Sequence, residues 1–240
     1  LTNQSAGSFN TMKTSFEAGT GKFLNNLLSV SARYSIINSD GYIDRAFSKL
    51  NSYNINALFE KGNTKLRFLT FGGKEKTYQA WNGIDKATYE SNPKFNYSGA
   101  IYDANWENII GFYDNETDNY RQNHYHLLWE QKLGKIWNLE TTFHLTHGEG
   151  YYENYKQDAK FSKYDLPNIV ENGNTITRTD FIRKKWLDND FYGVVSNLYG
   201  NFENLNLNFG VAANQYFGRH FGNVTGVKFT NIFEHEYYRN

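Results

Sequence analysis

A chain of 240 residues with no net charge, no cysteine and two prolines excludes several classes at once: there is no basic surface for nucleic acid, no disulfide or thiolate metal site, and little to interrupt long strands. Aromatics make up 18% of the residues although mean hydropathy is −0.72. That pairing is foreign to disordered chains, which lack aromatics, and to soluble enzymes, which carry more aliphatics. No run of about 18 apolar residues offers a transmembrane helix, and the opening LTNQSAGSFN lacks the basic and apolar regions of a signal peptide.

Period-2 alternation then recurs along the chain. A first strand is predicted near residues 8–18. After GTGK a second runs to about residue 37, with Leu28, Val30, Ala32, Tyr34 and Ile36 on one face and Ser29, Ser31, Arg33 and Ser35 on the other. A third covers 50–60, with Tyr53, Ile55, Ala57 and Phe59 opposite Asn54 and Asn56. KGNT is a hairpin signal, and KLRFLTFGG is the fourth strand. The fifth, 119–132, sets Tyr125, Leu127 and Trp129 against Gln122, His124, His126 and Glu130. LGK turns into the sixth, where Trp137, Leu139, Thr141, Phe143 and Leu145 alternate with Asn138, Glu140, Thr142, His144 and Thr146. The seventh, 191–202, has an ambiguous facing. ENL turns into the eighth, where Leu205, Leu207, Phe209, Val211 and Ala213 alternate with polar and small residues. Helical spacing is never sustained for three turns.

The connections alternate in size. GTGK, KGNT, LGK and ENL are tight; residues 38–47, 73–118, 148–185 and everything after 218 read as loops. Loops beyond about 15 residues are uncommon in compact soluble domains. Tight turns on one edge and large loops on the other match an outer-membrane barrel, and the strands exceed the roughly 9–11 residues needed to cross hydrocarbon at a tilt. The fold class expected is an all-β, antiparallel transmembrane barrel wall of about eight strands. Its apolar face meets lipid and its polar face a wet lumen. Trp129 and Trp137 flank one turn where an aromatic belt belongs, and Tyr151 and Tyr152 mark the opposite interface. A soluble β-sandwich with half-buried strands is the competing architecture, which alternation alone does not exclude.

Residues 31–84, SARYSIINSDGYIDRAFSKLNSYNINALFEKGNTKLRFLTFGGKEKTYQAWNGI, resemble the barrel of TonB-dependent outer-membrane receptors of the Bacteroidetes type. TDNYRQNHYHLLWEQKL, GEGYYENYK and FIRKKWLDNDFYG resemble later segments of such barrels in the same order. The resemblance spans about residues 9–221. It implies a barrel filled by a plug domain, partnership with TonB and its inner-membrane motor proteins, and energised uptake of a bulky nutrient, most often an iron–siderophore complex or haem. Family barrels have 22 strands. The family's signal peptide, TonB box, plug and final aromatic-ended strand have no counterpart here, so residues 1–240 are expected to form a single partial barrel domain. An open sheet leaves raw edges that lipid does not tolerate, which also points to a larger barrel.

The ligand-binding candidates lie on that wall. His124 and His126 share the polar face of the fifth strand, and His144 that of the sixth, so the turn brings the three imidazoles together. They are contacts for an anionic or metal-bearing ligand or polar lining against the plug. His147, on the other face, belongs near the interface. The loop aromatics Tyr78, Trp81, Tyr97, Tyr102, Trp106 and Tyr113 are candidates for ligand capture or for loop-on-loop packing. Lys74, Lys76, Arg183, Lys184 and Lys185 form a rim that draws in anionic chelates or meets lipid headgroups. No metal, cofactor or enzymatic activity is expected: GEG and FGG do not open helices, no Ser/His/Asp set has support, and EHE (234–236) reads as solvated charge in an unanchored tail. Two further functions compete with the receptor: a passive porin-like barrel and a soluble carbohydrate-binding β-sandwich.

Overall fold

The computed structural model describes residues 1–228 and 234–239. In chain order the elements are β1 (Thr2–Gly7), β2 (Thr11–Phe23), β3 (Leu28–Ser39), β4 (Ser48–Lys61), β5 (Thr64–Tyr78), a short helix α1 (Lys86–Ser91), β6 (Ala100–Tyr102), β7 (Ile109–Phe112), β8 (Thr117–Leu133), β9 (Trp137–Lys160), a 3-10 turn (Phe161–Tyr164), β10 (Ile169–Glu171), β11 (Asn174–Ile176), β12 (Arg178–Phe202), β13 (Leu205–Gly226) and β14 (His235–Arg239). Ten of the strands form one antiparallel meander in the order β1-β2-β3-β4-β5-β8-β9-β12-β13-β14; β6–β7 and β10–β11 are small hairpins within the loops.

The register converts alternation into faces, because directly paired residues of antiparallel strands project to the same side. Ala57, Phe68, Leu127, Phe143 and Val194 form one transverse row. Ile55, Thr70, Tyr125, Leu145 and Tyr192 form the next. This apolar face is open: Phe143 is 48% exposed and Leu127 41%. The seventh predicted strand is resolved by the same pairing, since Tyr192, Val194 and Leu198 lie opposite Leu145, Phe143 and Leu139. The sheet therefore shows water-avoiding side chains to its surroundings rather than to a core.

A charged row closes the apolar face toward the long loops. Arg121, Glu149, Asp188 and Arg219 lie in register across β8, β9, β12 and β13. Arg121 and Glu149 pair at 2.5 Å, and Arg219 pairs with Asp188. Toward the tight turns, Trp137 packs edge-on against Phe202 at 5.5 Å. The ten steps from Trp137 to His147, at a rise of about 3.4 Å and a tilt near 40°, give an apolar band about 26 Å tall.

The packed core lies elsewhere, at the long-loop end. Phe161, Tyr164, Phe181 and Val224 are fully buried there, with Ala159, Leu166, Ile169, Ile176 and Tyr237 against them. The 3-10 turn and the β10–β11 hairpin thus fold back onto the tops of β9, β12 and β13.

Four sequence expectations change. Among the described residues the sheet has ten strands rather than about eight, because β1 and β14 pair as short edges. GTGK is a bulge within β2, not a turn: the ladder shifts between Gly19 and Lys22, Gly21 takes φ +64°, and the chain reverses later, at Leu24, Asn25 and Asn26, all with positive φ. The strands also run far into the segments read as loops, leaving residues 79–116 and 161–177 as the large connections. Above the apolar band the loops cover both faces, with Glu153 at 4% and Asn154 at 6% exposure, so the alternation that marks a strand stops while its hydrogen bonding continues. Finally, EHE is anchored: His235 and Glu236 belong to β14, Glu236 pairs with Arg239 at 2.7 Å, and Asn223 donates to Glu234 at 2.9 Å.

Candidate functional site

The polar face of β5, β8, β9 and β12 carries a continuous row of flat rings. His124 pairs across the ladder with Phe71, and their rings stack at 4.4 Å and 9°. His126 meets Phe71 edge-on at 5.7 Å. His126 and His144 are directly paired, with centroids 6.4 Å apart. His144 packs on Phe191 at 5.0 Å. The three imidazoles are thus brought to one place, as their strand parity demands.

Their nitrogens are used differently. His124 Nδ1 meets Thr146 Oγ1 at 3.0 Å, and its Nε2 meets Gln122 Oε1 at 3.2 Å, which fixes its ring. His126 and His144 have no hydrogen-bond partner among the described residues, so their nitrogens face the open side. The three groups whose metal-ligating atoms converge among the described residues are His147, Asp188 and Asp190, on the apolar side. His147 there donates from Nδ1 to the Asp190 carboxylate at 2.8 Å. Toward the long loops the row adjoins a recess of about 420 Å³ whose walls include Ser35, Ser52, Gly73, Phe71, Gln122 and His124. Serine and glycine leave that space because their side chains are too small to fill it. Such an arrangement offers stacking surface and hydrogen-bonding ring nitrogens to a flat or anionic ligand.

The loop aromatics divide into two groups. Tyr78 is 4% exposed and donates to the carbonyls of Ser98 (3.0 Å) and Tyr113 (2.7 Å). Tyr113 donates to Glu153 at 2.5 Å and stacks on Tyr155 at 5.7 Å; burial first, then the Glu153 carboxylate, push its phenol far above the usual tyrosine range. Tyr97 packs edge-on against Phe95 at 4.7 Å. These rings hold the loop. Trp81 and Trp106 remain open, at 58% and 52% exposure. Trp81 touches Tyr152 edge-on at 5.5 Å, and Trp106 stacks on Tyr102 at 5.7 Å.

The loop base is a buried polar network with no local signature in the sequence. Gln79 donates to the carbonyls of Thr117 and Glu153 at 3.1 and 2.8 Å. Asn154 donates to Gln79 Oε1 and Glu116 Oε1 at 2.9 and 2.8 Å. Glu116 also accepts from the Tyr155 N–H at 2.7 Å. Burial raises the Glu116 carboxyl above its ordinary range, against the pull of those donors. Arg45 lays its guanidinium 3.5 Å over the Phe112 ring and donates to the Asn96 carbonyl. Of the rim cations, Lys76 donates to Asn115 at 2.7 Å, Arg183 to Asn154 at 2.7 Å, and Lys184 lies over Tyr151 at 5.1 Å. Lys74 borders the recess, and Lys185 borders a second one beside Trp186.

No family model matches the chain, and no curated protein matches it. Solved structures do. The ferric preacinetobactin receptor BauA from Acinetobacter baumannii superimposes with a TM-score of 0.54 at 11% identity, over 95% of this chain and 30% of that one. The ferric-catecholate import receptor Fiu from E. coli K12 gives 0.55 at 14% identity, over 95% of this chain and 32% of that one. The chain thus spans about a third of the length of these receptors, and the likeness is one of fold: an antiparallel barrel wall.

Proposed function

We propose that this chain is part of the barrel of a TonB-dependent outer-membrane receptor, of the Bacteroidetes type, that takes up an iron–siderophore complex or haem. The observation that carries the reading is the inverted sheet. It shows a band of exposed apolar side chains about 26 Å tall, bounded by aromatic and charged rows, with tight turns at one end and packed loops at the other. Only lipid stabilises such a face, and outer-membrane barrels combine it with short periplasmic turns and long outer loops. The two similar structures named above are receptors for ferric ligands. In this reading the polar face meets a plug domain, and TonB with its inner-membrane motor acts through parts of the receptor outside this chain. The His124–His126–His144 row and the open faces of Trp81 and Trp106 contact the ligand.

The test is topological and energetic. Cysteines placed at Asn82 and Lys135 of the intact receptor are exposed to an impermeant thiol reagent on whole cells. Position 82 is expected to label and position 135 to stay protected; the reverse pattern inverts the orientation. Ligand uptake is expected to stop when the inner-membrane proton gradient is collapsed. Uptake that continues identifies a passive pore.

A further inference from the structure

A cavity of about 500 Å³ opens at the long-loop end, where β6–β7, the tops of β9 and β12 and the 3-10 turn meet. Its walls hold four cations, Lys156, Lys160, Lys163 and Arg178, and one carboxylate, Asp158. Arg178 takes that carboxylate at 2.8 Å. None of the three lysines has a carboxylate within ion-pair distance among the described residues. Cations on the cavity walls therefore exceed carboxylates by three, with the Glu116 carboxylate acting on Lys156 from beyond ion-pair distance. Like charges this close repel one another, and Lys156 is additionally part-buried. Burial, and next Arg183, lower its pKa.

The opposite wall is a fixed aromatic surface. Tyr102 and Trp106 stack at 5.7 Å and 25°. The hairpin that carries them is tied to β9 by a reciprocal pair: the Tyr102 N–H donates to Gln157 Oε1 at 2.8 Å, and Gln157 Nε2 donates to the Tyr102 carbonyl at 2.7 Å. Trp106 itself takes φ +62°, a conformation that disfavours a bulky side chain. Asp103 holds the turn there, accepting from the Glu107 N–H at 3.0 Å and from Asn108 at 2.8 Å. The ring is half-open, stacked on Tyr102 by one face, in a strained turn, and such strain gathers at functional sites.

We propose that this cavity is an outer capture site for a multiply anionic ligand bearing a flat ring, with Lys156, Lys160 and Lys163 neutralising its charge and Trp106 stacking on its ring. It lies apart from the histidine row, and it draws on the receptor reading for its role as a first contact. Charge attracts the ligand over distance and speeds encounter; the ring contact selects which anion stays.

The experiment measures binding by calorimetry to the intact receptor in detergent. The probes are the trinegative iron(III) tris-catecholate complex, a neutral iron(III) trihydroxamate, and inorganic pyrophosphate. Lys160 and Lys163 are exposed, so the double variant Lys160→Ala/Lys163→Ala leaves the packing intact. It is expected to bind the catecholate complex about tenfold more weakly, a difference of about 1.4 kcal/mol, to lose most of the salt dependence, and to bind the neutral complex as before. Trp106→Ala is expected to weaken the catecholate complex and leave pyrophosphate unchanged. Equal catecholate affinity in wild type and both variants overturns the proposal, as does pyrophosphate binding as tightly as the aryl complex. Failure of the receptor reading shows separately, as absence of the protein from the outer-membrane fraction.

Discussion

His126 and His144 stand directly opposite each other on the polar face of the β8–β9 ladder, with centroids 6.4 Å apart and their nitrogens unclaimed by the described protein groups. His124, two residues away on the same strand, is instead fixed by Thr146 and Gln122. The three imidazoles are therefore not equivalent. His126→Ala and His144→Ala are each expected to weaken ligand binding about three- to tenfold, the loss of one net hydrogen bond of about 0.5–1.5 kcal/mol, with surface abundance unchanged. His124→Ala is expected to act less directly, by releasing Phe71. Equilibrium binding on whole cells, normalised to receptor abundance, checks this; normal binding by the His126→Ala/His144→Ala double variant assigns the row to lumen lining alone.

The apolar band makes a depth-dependent prediction. Phe143 lies mid-band and is 48% exposed, so Phe143→Arg places a charge in hydrocarbon at a cost of about 2–4 kcal/mol. Leu207 lies near the tight turns, in the row of Trp137 and Gly200, and Leu207→Arg is expected to cost less, about 0–1 kcal/mol. Asn208→Arg, on the polar face, is expected to assemble normally. The folded, heat-modifiable fraction in outer membranes ranks the three.

Gly99 has φ +74°, and a β-carbon there would collide with the Tyr78 hydroxyl and press on the Tyr113 carbonyl. Those are the donor and one acceptor of the bond that seats residues 79–116. Gly99→Ala is expected to loosen that loop by more than about 1 kcal/mol, from the strained backbone and the lost bond together. Limited proteolysis reads it as faster cleavage near Trp106, with the barrel strands still protected.

Asp180 ties the bulge between β9 and β12. It accepts from the Asp158 N–H at 2.9 Å and from Tyr155 at 2.7 Å, and it pairs with Lys228 at 3.4 Å. Burial alone would raise its pKa, but the Asp158 N–H, the Tyr155 hydroxyl and Lys228 outweigh it and hold the carboxyl below its ordinary 3.8. A carboxyl with a depressed folded pKa binds fewer protons folded than unfolded. Its stabilisation is thus complete above about pH 5 and is lost as pH falls through 3.8 and below. Cleavage within residues 161–177 is expected to accelerate below about pH 4 in the wild type. Asp180→Ala is expected to show fast cleavage at neutral pH and little further change on acidification.

How much of this was legible in advance depends on the distance over which each feature is encoded. The facing of Leu127, Phe143 and Leu145 is written in period-2 alternation, because a strand reverses its side chains at every residue. The hairpins at Gly62 and Gly134, both with positive φ, are written in two or three residues, since turns need glycine where φ is positive. That His144 meets His124 or His126 follows from those two facts together, and the register selects His126. The sequence alone therefore determined the apolar face of most strands and the reversals at Gly62 and Gly134; the reversal at Leu24–Asn26 and the facing of residues 191–202 came from the register.

Tertiary structure decided the rest. Residues 148–160 continue β9 without alternating, because above the apolar band no solvent boundary separates the faces. Short β1 and β14 are strands only because β2 and β13 offer them partners. Tyr78, Trp81, Trp106 and Tyr113 look alike as loop aromatics, yet two are tied down by bonds to Ser98 and Glu153, and two stay open. The bonds that separate them span 20 to 40 residues, and the lysine cavity joins segments just as distant. Contacts at that range arise only when the strands bring their loops together, so no local pattern of residues encodes them.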